Sequence, residues 1–236
     1  MMMKLEGKVA IVTGGSKGIG MAIARALGRE GATVVICGRT SKTIEAAATA
    51  LKSEGLAVGA VTADVGIPDH MDRLIATTVT DHGRLDILVN NAGVGVFKMV
   101  EEMDVRDFDM MWNTNLRGVF LATRASLPHL FKSGAGAIVN ISSLAGKNTF
   151  KGGAGYAATK WALRGFAGSL MLEVRDRNVR VVTIFPGSVD TGFSSVNKRG
   201  KSITQPEDVA DAVLFAITAP SRSMISEIDI RPSIPR

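Results

Sequence analysis

Val9-Ala10-Ile11-Val12-Thr13-Gly14-Gly15-Ser16-Lys17-Gly18-Ile19-Gly20 is the stretch whose reading decides the fold. Its first four residues are an apolar, β-branched run suited to a buried strand. The run breaks into glycines, and from Met21 to Arg29 the pattern becomes helical before stopping at Gly31. A second buried-strand run, Thr33 to Cys37, ends in Gly38-Arg39. Strand, glycine turn, helix and strand make a βαβ unit. Its first turn suits a phosphate. Glycines remove the Cβ obstruction, and the opening helix aims free N–H groups and the positive end of its dipole at the ligand. The spacing Gly14-x-x-x-Gly18-x-Gly20 differs from the familiar G-x-G-x-x-G. A merely structural turn is the alternative, and the position between strand and helix argues against it.

Where the second strand ends, a protein that binds NAD presents an acidic side chain to the adenosine ribose. Here Gly38 occupies that position, Arg39 follows, and Lys17 sits inside the turn. Two cations without a carboxylate suit a ribose 2′-phosphate, because Arg grips phosphate oxygens through paired N–H donors. NADP(H) is therefore the expected cofactor; the bland alternative leaves both side chains as solvated surface charges.

Onward from Arg39, the pattern predicts helices over Ser41–Ser53 (Ser41 as cap), Pro68–His82, Val105–Phe131, Tyr156–Arg177 and Pro206–Ala219. Strand-like runs cover Ala57–Ala63, Asp86–Val89, Ala137–Ile141, Arg180–Phe185 and Met224–Ile230, and Pro128 is expected to tighten or kink the end of the long helix. Alternation throughout predicts an α/β fold: a doubly wound, Rossmann-type, mostly parallel sheet with helices on both faces, as a single domain spanning residues 1–236. Ligands of such sheets sit at the carboxyl ends of the strands. Thr13-Gly14, Gly38-Arg39, Asp64-Val65, Asn90-Asn91, Ser142-Ser143 and Pro186-Gly187 all fall there.

Length and composition agree with this. The 236 residues are 46% hydrophobic with 26 glycines, which suits one α/β domain with many tight turns. The net charge of +6 is dispersed, without the basic face that nucleic-acid binding needs. Cys37 is the only cysteine, so no intrachain disulfide forms, and its strand-end position reads as a small core residue. No apolar stretch reaches membrane-spanning length, no signal-peptide core precedes the first strand, and no metal-ligating cluster stands out. A cytoplasmic location is expected, and the three leading methionines leave the start open.

Tyr156 is the chain's only tyrosine, and Lys160 follows one helical turn later on the same face. A free phenol, with a pKa of about 10, is a poor proton-transfer group near neutrality. A neighbouring ammonium favours phenolate, so this pair can run acid–base chemistry on a carbonyl or alcohol. A Tyr packed under the sheet edge beside a solvated Lys is the alternative. Ser142-Ser143 closes the fifth strand at the same edge, where a hydroxyl either hydrogen-bonds a developing oxyanion or satisfies loop backbone groups.

Thr13-Gly14-x-x-x-Gly18-x-Gly20, Asn90-Asn91-Ala92-Gly93, Asn115, Ile141-Ser142-Ser143, Tyr156-Ala157-Ala158-Thr159-Lys160 and Pro186-Gly187 stand in the order found in the short-chain dehydrogenase/reductase family, which nearly the whole chain resembles. The resemblance implies a catalytic Ser143, Tyr156 as proton donor and acceptor, Lys160 binding the nicotinamide ribose and lowering the tyrosine pKa, and Asn115 holding a relay water. It also implies cofactor contacts from Gly14, Ser16, Lys17, Gly18, Ile19, Gly20 and Arg39 at the phosphates. Asp64 and Val65 fall at the adenine. Asn91, Ala92 and Gly93 line the centre, and Pro186, Gly187, Val189 and Thr191 receive the carboxamide. On the residues alone, Asn115 could be a polar interruption of a helix, Val189 ordinary packing and Thr191 a helix cap. The implied activity is an NADPH-dependent carbonyl reductase, reversible as an alcohol dehydrogenase, acting on a small-molecule carbonyl or alcohol as a homodimer or homotetramer. Self-association is expected through the helices around Asp107–Phe131 and Tyr156–Arg177.

Two alternatives stay open: a 3-oxoacyl-(acyl-carrier-protein or CoA) reductase, and a non-catalytic NADP-binding sensor or scaffold. The first is weakened by Ile228-Asp229-Ile230-Arg231-Pro232, where that branch ends in D-G-G. Lys198, Arg199 and Lys201 offer charge for an acidic carrier, or simply solvated charge. The substrate-covering segment Phe193-Ser194-Ser195-Val196-Asn197-Lys198-Arg199-Gly200 is polar, which argues against a deep lipid pocket.

Overall fold

Residues 3–193 and 203–233 are described by the structure, a computed structural model. The polar segment with Lys198, Arg199 and Lys201 and the first two methionines lie outside the described residues. In chain order the elements are β1 (Val9–Thr13), α1 (Gly18–Arg29), β2 (Thr33–Gly38), α2 (Ser41–Ser53), β3 (Val58–Thr62), α3 (Pro68–His82), β4 (Ile87–Asn90), α4 (Val105–Trp112), α5 (Gly118–Lys132), β5 (Gly136–Ile141), α6 (Ala154–Val174), β6 (Val179–Pro186), α7 (Pro206–Ile217) and β7 (Glu227–Ile230). The strands form one sheet in the order β3-β2-β1-β4-β5-β6-β7. Every neighbouring pair is parallel.

Successive strand residues point to opposite faces, and both faces of this sheet are covered. Ala10, Val12, Val34, Ile36 and Val139 pack on one side with Ile23, Leu27, Ile44, Leu51 and Val213 from α1, α2 and α7. Ile11, Val35, Leu88, Ile138 and Val181 pack on the other with Met71, Leu74, Leu121, Leu130 and Leu170 from α3, α5 and α6. That double burial is why the strands read as unbroken apolar runs. Cys37 lies in the second of these layers, and burial pushes its thiol up to about 12, so it is an inert core group.

The chain winds outward from β1 to β3, then returns to place β4 on the other side of β1. This reversal opens a crevice between the carboxyl ends of β1 and β4, the general ligand position of such sheets.

The expected elements differ from the structure in a few places. Helix α1 starts at Gly18, because the glycine turn itself supplies its first turn. Thr40 holds the N-cap position of α2, and Ser41 instead donates from Oγ to Glu45 one turn later at 2.5 Å. The long helix over 105–131 is three pieces: α4, a π-helical turn Asn113–Arg117, and α5. Pro128 sits inside α5, which runs on to Lys132. The last strand begins at Glu227 rather than Met224 and pairs with β6 at the sheet edge.

Candidate active site

The glycine turn is built by close approach. Gly14 has a φ of +66°, the left-handed region, and a Cβ on Gly20 would lie 2.3 Å from the Gly14 carbonyl oxygen. Any side chain at Gly20 therefore drives the helix off the turn. The turn is latched to the end of β4. Thr13 Oγ1 donates to the Val89 carbonyl at 3.3 Å and accepts from the amides of Asn91 and Ala92, each at 3.0 Å. Asn91 Nδ2 donates to the carbonyls of Thr13 and Gly14 at 2.9 and 3.1 Å. The Asn91 side chain thus holds the crevice in shape, and Thr13, which the sequence marked only as the residue before the turn, is its other half.

These residues fit a dinucleotide diphosphate. Lys17 is the N-cap of α1, no side chain caps that helix, and no acid stands in its first turn, so its leading N–H groups and dipole are offered to an anion. Thr191 closes over the same turn, its Cβ 3.2 Å from where a Gly18 Cβ would be, while its Oγ1 accepts from the Phe193 amide. Lys17 and Arg39 are exposed, and neither has an ion-pair partner among the described residues. At Gly38 a Cβ would make only ordinary contact, 3.5 Å from Ile44. A carboxylate would fit there, so its absence is a matter of charge and not of space.

Asp64 and Val65 follow β3 as expected. Asp64 Oδ1 accepts from the Gly66 amide at 2.9 Å, and the Asp64 amide donates to His70 Nδ1 at 3.1 Å. Val65 is buried and packs so close to Gly118 that a Cβ there would lie 2.6 Å away. Gly187 donates its amide to the Ile230 carbonyl at 2.8 Å, which ties the end of β6 to β7. Val189 bridges to Thr204 and packs partly on the core.

Helix α6 carries Tyr156 and Lys160, both buried. Ser143 caps the short 3-10 turn Leu144–Gly146, its Oγ accepting from the Ala145 amide at 3.1 Å. That bond orients the hydroxyl, and the Ser143 side chain lies near enough to the Tyr156 phenol to lower its pKa. The backbone role of the serine is thus present in the fold, and its hydroxyl stays beside the phenol. Ser142 faces the other way, donating to the Lys160 carbonyl at 3.5 Å. Lys160 Nζ donates to the Ile141 carbonyl at 3.1 Å and stands 5.7 Å from the Tyr156 ring centre.

Asn115 sits in the π-helical turn and is 1% exposed. Its Oδ1 accepts from the Val94 amide at 2.8 Å, and its Nδ2 donates to the Val94 carbonyl at 2.8 Å and Thr159 Oγ1 at 3.0 Å. The widened turn is what rotates this residue inward, as π-turns at functional sites do. Above Gly93, a Cβ would lie 3.4 Å from Asn115 Oδ1 and 3.7 Å from Lys160 Nζ. The missing side chain thus leaves both polar atoms facing one small space.

Burial sets the direction of both pKa shifts in the pair. The phenol is pushed up to about 12 because its charged form loses water, with the Ser143 hydrogen bond pulling the other way. Lys160 is pushed down to about 8 by burial as well. The Lys160 ammonium donates to the Ile141 carbonyl and stands off the ring. Tyr156 is the sole tyrosine, so phenolate absorbance reports it without interference. Native protein without cofactor is expected to show no phenolate up to about pH 10, while urea-unfolded chain titrates at about 10. A native midpoint at or below the unfolded one refutes this assignment.

Sequence reasoning assigned Thr159 and Ile141 no role of their own, although both lie inside the quoted motifs, and it missed Phe97 and Phe150, since nothing local marks which loop aromatics face a cleft.

A parallel doubly wound sheet whose switch-point crevice holds a glycine phosphate turn and a Ser-Tyr-Lys-Asn set defines the class: a Rossmann-type oxidoreductase. The short chain dehydrogenase family profile matches residues 8–201. An uncharacterized oxidoreductase of Staphylococcus epidermidis is 35% identical over 232 residues, covering 98% of this chain and 100% of its own. One from Staphylococcus aureus has the same identity and coverage. Among solved structures, a metagenomic short-chain oxidoreductase in complex with NADP superposes with a TM-score of 0.87 at 37% identity, covering 98% of this chain and 100% of that one. An alcohol dehydrogenase from the archaeon Thermococcus sibiricus, complexed with 5-hydroxy-NADP, gives 0.89 at 33% identity, covering 97% and 98%. The chain belongs to the short-chain dehydrogenase family.

Proposed function

We propose that this chain is an NADP(H)-dependent carbonyl reductase, reversible as an alcohol dehydrogenase. The observation that carries the reading is the buried Tyr156 phenol, with Ser143 beside it and Lys160 one helical turn away, next to the switch-point crevice. Gly14, Ser16, Gly18, Ile19 and Gly20 hold the diphosphate, Lys17 and Arg39 the 2′-phosphate. Asp64 and Val65 meet the adenine, and Ala92, Gly93, Pro186, Gly187 and Thr191 line the nicotinamide half. Bound NADP(H) supplies the hydride or takes it back. Ser143 holds the carbonyl oxygen, and Tyr156, kept protonated by burial, delivers the proton to it. Lys160, poised near neutrality, and Asn115 face the gap above Gly93, where a water has the polar partners it needs to pass protons inward. Positioning and oxyanion hydrogen bonds are the protein's main contribution. The test is ketone-dependent loss of NADPH absorbance and its dependence on Tyr156.

The reading includes self-association. The outer face of α5 and α6 exposes Phe120, Trp161 and Leu172, at 45%, 45% and 60%. Gly165 and Gly168 lie exposed in α6 with no atom near a would-be Cβ. Mid-helix glycines cost about 1 kcal/mol each and gain nothing in one chain; they let a second copy's helix approach. Trp112 lines the groove between these helices, and its indole N–H is buried without an acceptor. Sedimentation is expected to give a dimer or tetramer, broken to monomer by Leu172→Glu. A monomeric wild type at micromolar concentration refutes it. Among the described residues no helix is long and apolar enough to cross a membrane.

A further inference from the structure

The cleft over Tyr156 is walled by aromatic rings that proton transfer leaves without a task. Phe97 meets the Tyr156 ring edge-on, with centres 5.2 Å apart at 78°. Phe193 stands 6.2 Å from the same ring, and Phe150 stands 5.8 Å from Phe97. Two glycines permit this convergence. A Cβ on Gly95 would lie 3.0 Å from both the Phe97 and Phe193 rings, and one on Gly153 would lie 2.4 Å from Phe150. The layer beneath is apolar too, since Val94, Val96 and Met103 pack with Tyr156.

Phe97, Phe150 and Phe193 nevertheless remain 42%, 47% and 48% exposed. Single exposed aromatics are ordinary, but rings gathered around a reactive phenol form a patch that a ligand covers. Two of the described lysines around the cleft are already engaged, while Lys151, beside Phe150, has no ion-pair partner among the described residues. Lys98 pairs with Asp107 at 3.0 Å, and Lys147 pairs with Glu227 at 2.8 Å and Asp229 at 2.6 Å. Among the described residues, the hydroxyls at the reactive end of the cleft are those of Ser143 and of Tyr156 itself, enough for one carbonyl oxygen.

We infer that the substrates are ketones or aldehydes bearing an aromatic or comparably flat apolar group, with the oxygen on Ser143 and Tyr156 and the flat group against Phe97 and Phe193. The inference rests on the carbonyl reductase reading. Tilted ring pairs with centres between about 4.5 and 7 Å are favourable beyond their buried area, so a flat ring gains more here than an alkyl chain of equal size. A carboxylate or a carrier thioester brings charge or polar bulk that these rings cannot solvate.

The test compares kcat/KM with NADPH for acetophenone, butanone, pyruvate and acetoacetyl-CoA. Acetophenone is expected to exceed butanone and pyruvate by about 100-fold, the discrimination an apolar pocket can supply. In Phe97→Ala and in Phe193→Ala the acetophenone-to-butanone ratio is expected to fall about tenfold, with Phe97→Leu losing less than Phe97→Ala. NADPH affinity, read by fluorescence, reports whether each variant is folded. Equal turnover of butanone, or preference for pyruvate or acetoacetyl-CoA, overturns the substrate inference and leaves the reductase reading standing. NADPH binding without turnover of any of the four overturns both.

Discussion

Tyr156→Phe is expected to lower ketone-dependent kcat about 1,000-fold while NADPH binds within about threefold of wild type. The change removes one oxygen and keeps the ring. The edge contact with Phe97 and the approach of Phe193 survive, so the cleft keeps its shape. What is lost is the group that gives the proton to the carbonyl oxygen and half of that oxygen's support. Ser143, whose hydroxyl is aimed by the Ala145 amide, loses its phenol partner but stays oriented. Ser143→Ala in the Tyr156→Phe background is therefore expected to add less than it does alone, because the two hydroxyls act on one oxygen. Initial-rate assays with isothermal titration of NADPH separate chemistry from binding. Near-normal turnover in Tyr156→Phe would remove the phenol from the mechanism.

The second large effect concerns cofactor choice. Arg39→Asp combined with Gly38→Asp is expected to move the NADPH-to-NADH ratio of kcat/KM by about 100-fold toward NADH, the worth of one or two charge-assisted hydrogen bonds and an added repulsion. The site tolerates the change sterically, since a Cβ at Gly38 makes only ordinary contact with Ile44. Arg39 is exposed and has no ion-pair partner among the described residues, so nothing in the fold depends on its charge. A thermal melt unchanged by the double substitution, together with the shifted ratio, supports a 2′-phosphate contact. An unchanged ratio shows that Lys17 and Arg39 are ordinary solvated charges.

Much of the site was legible before any coordinates because its signals are local. The glycine turn, the helical spacing of Tyr156 and Lys160, and Ser143 at a strand end each occupy a few consecutive residues. What stayed hidden depends on approach between distant parts of the chain. Asn91 reads as a cofactor contact, and only the fold adds that its amide also ties the carbonyls of Thr13 and Gly14 across the sheet. The segment 105–131 reads as one helix, because the extra residue of a π-turn leaves the apolar rhythm almost intact. Phe97, Phe150 and Phe193 lie in loops with no period to read.

By itself the sequence determined a doubly wound parallel sheet and its glycine turn, and it singled out the side chains that we propose perform the chemistry. Strand runs, helical repeats and motif spacing are dictated by chemistry within a few bonds of each residue. Only the tertiary structure decided the direction in which each pKa of the pair moves and the character of the cleft. Burial pushes the phenol up to about 12 and the Lys160 ammonium down to about 8. Glycines at 95 and 153 let rings from separate loops gather over it. Desolvation and ring convergence are sums over atoms far apart in the chain, and these arise only when the chain is folded.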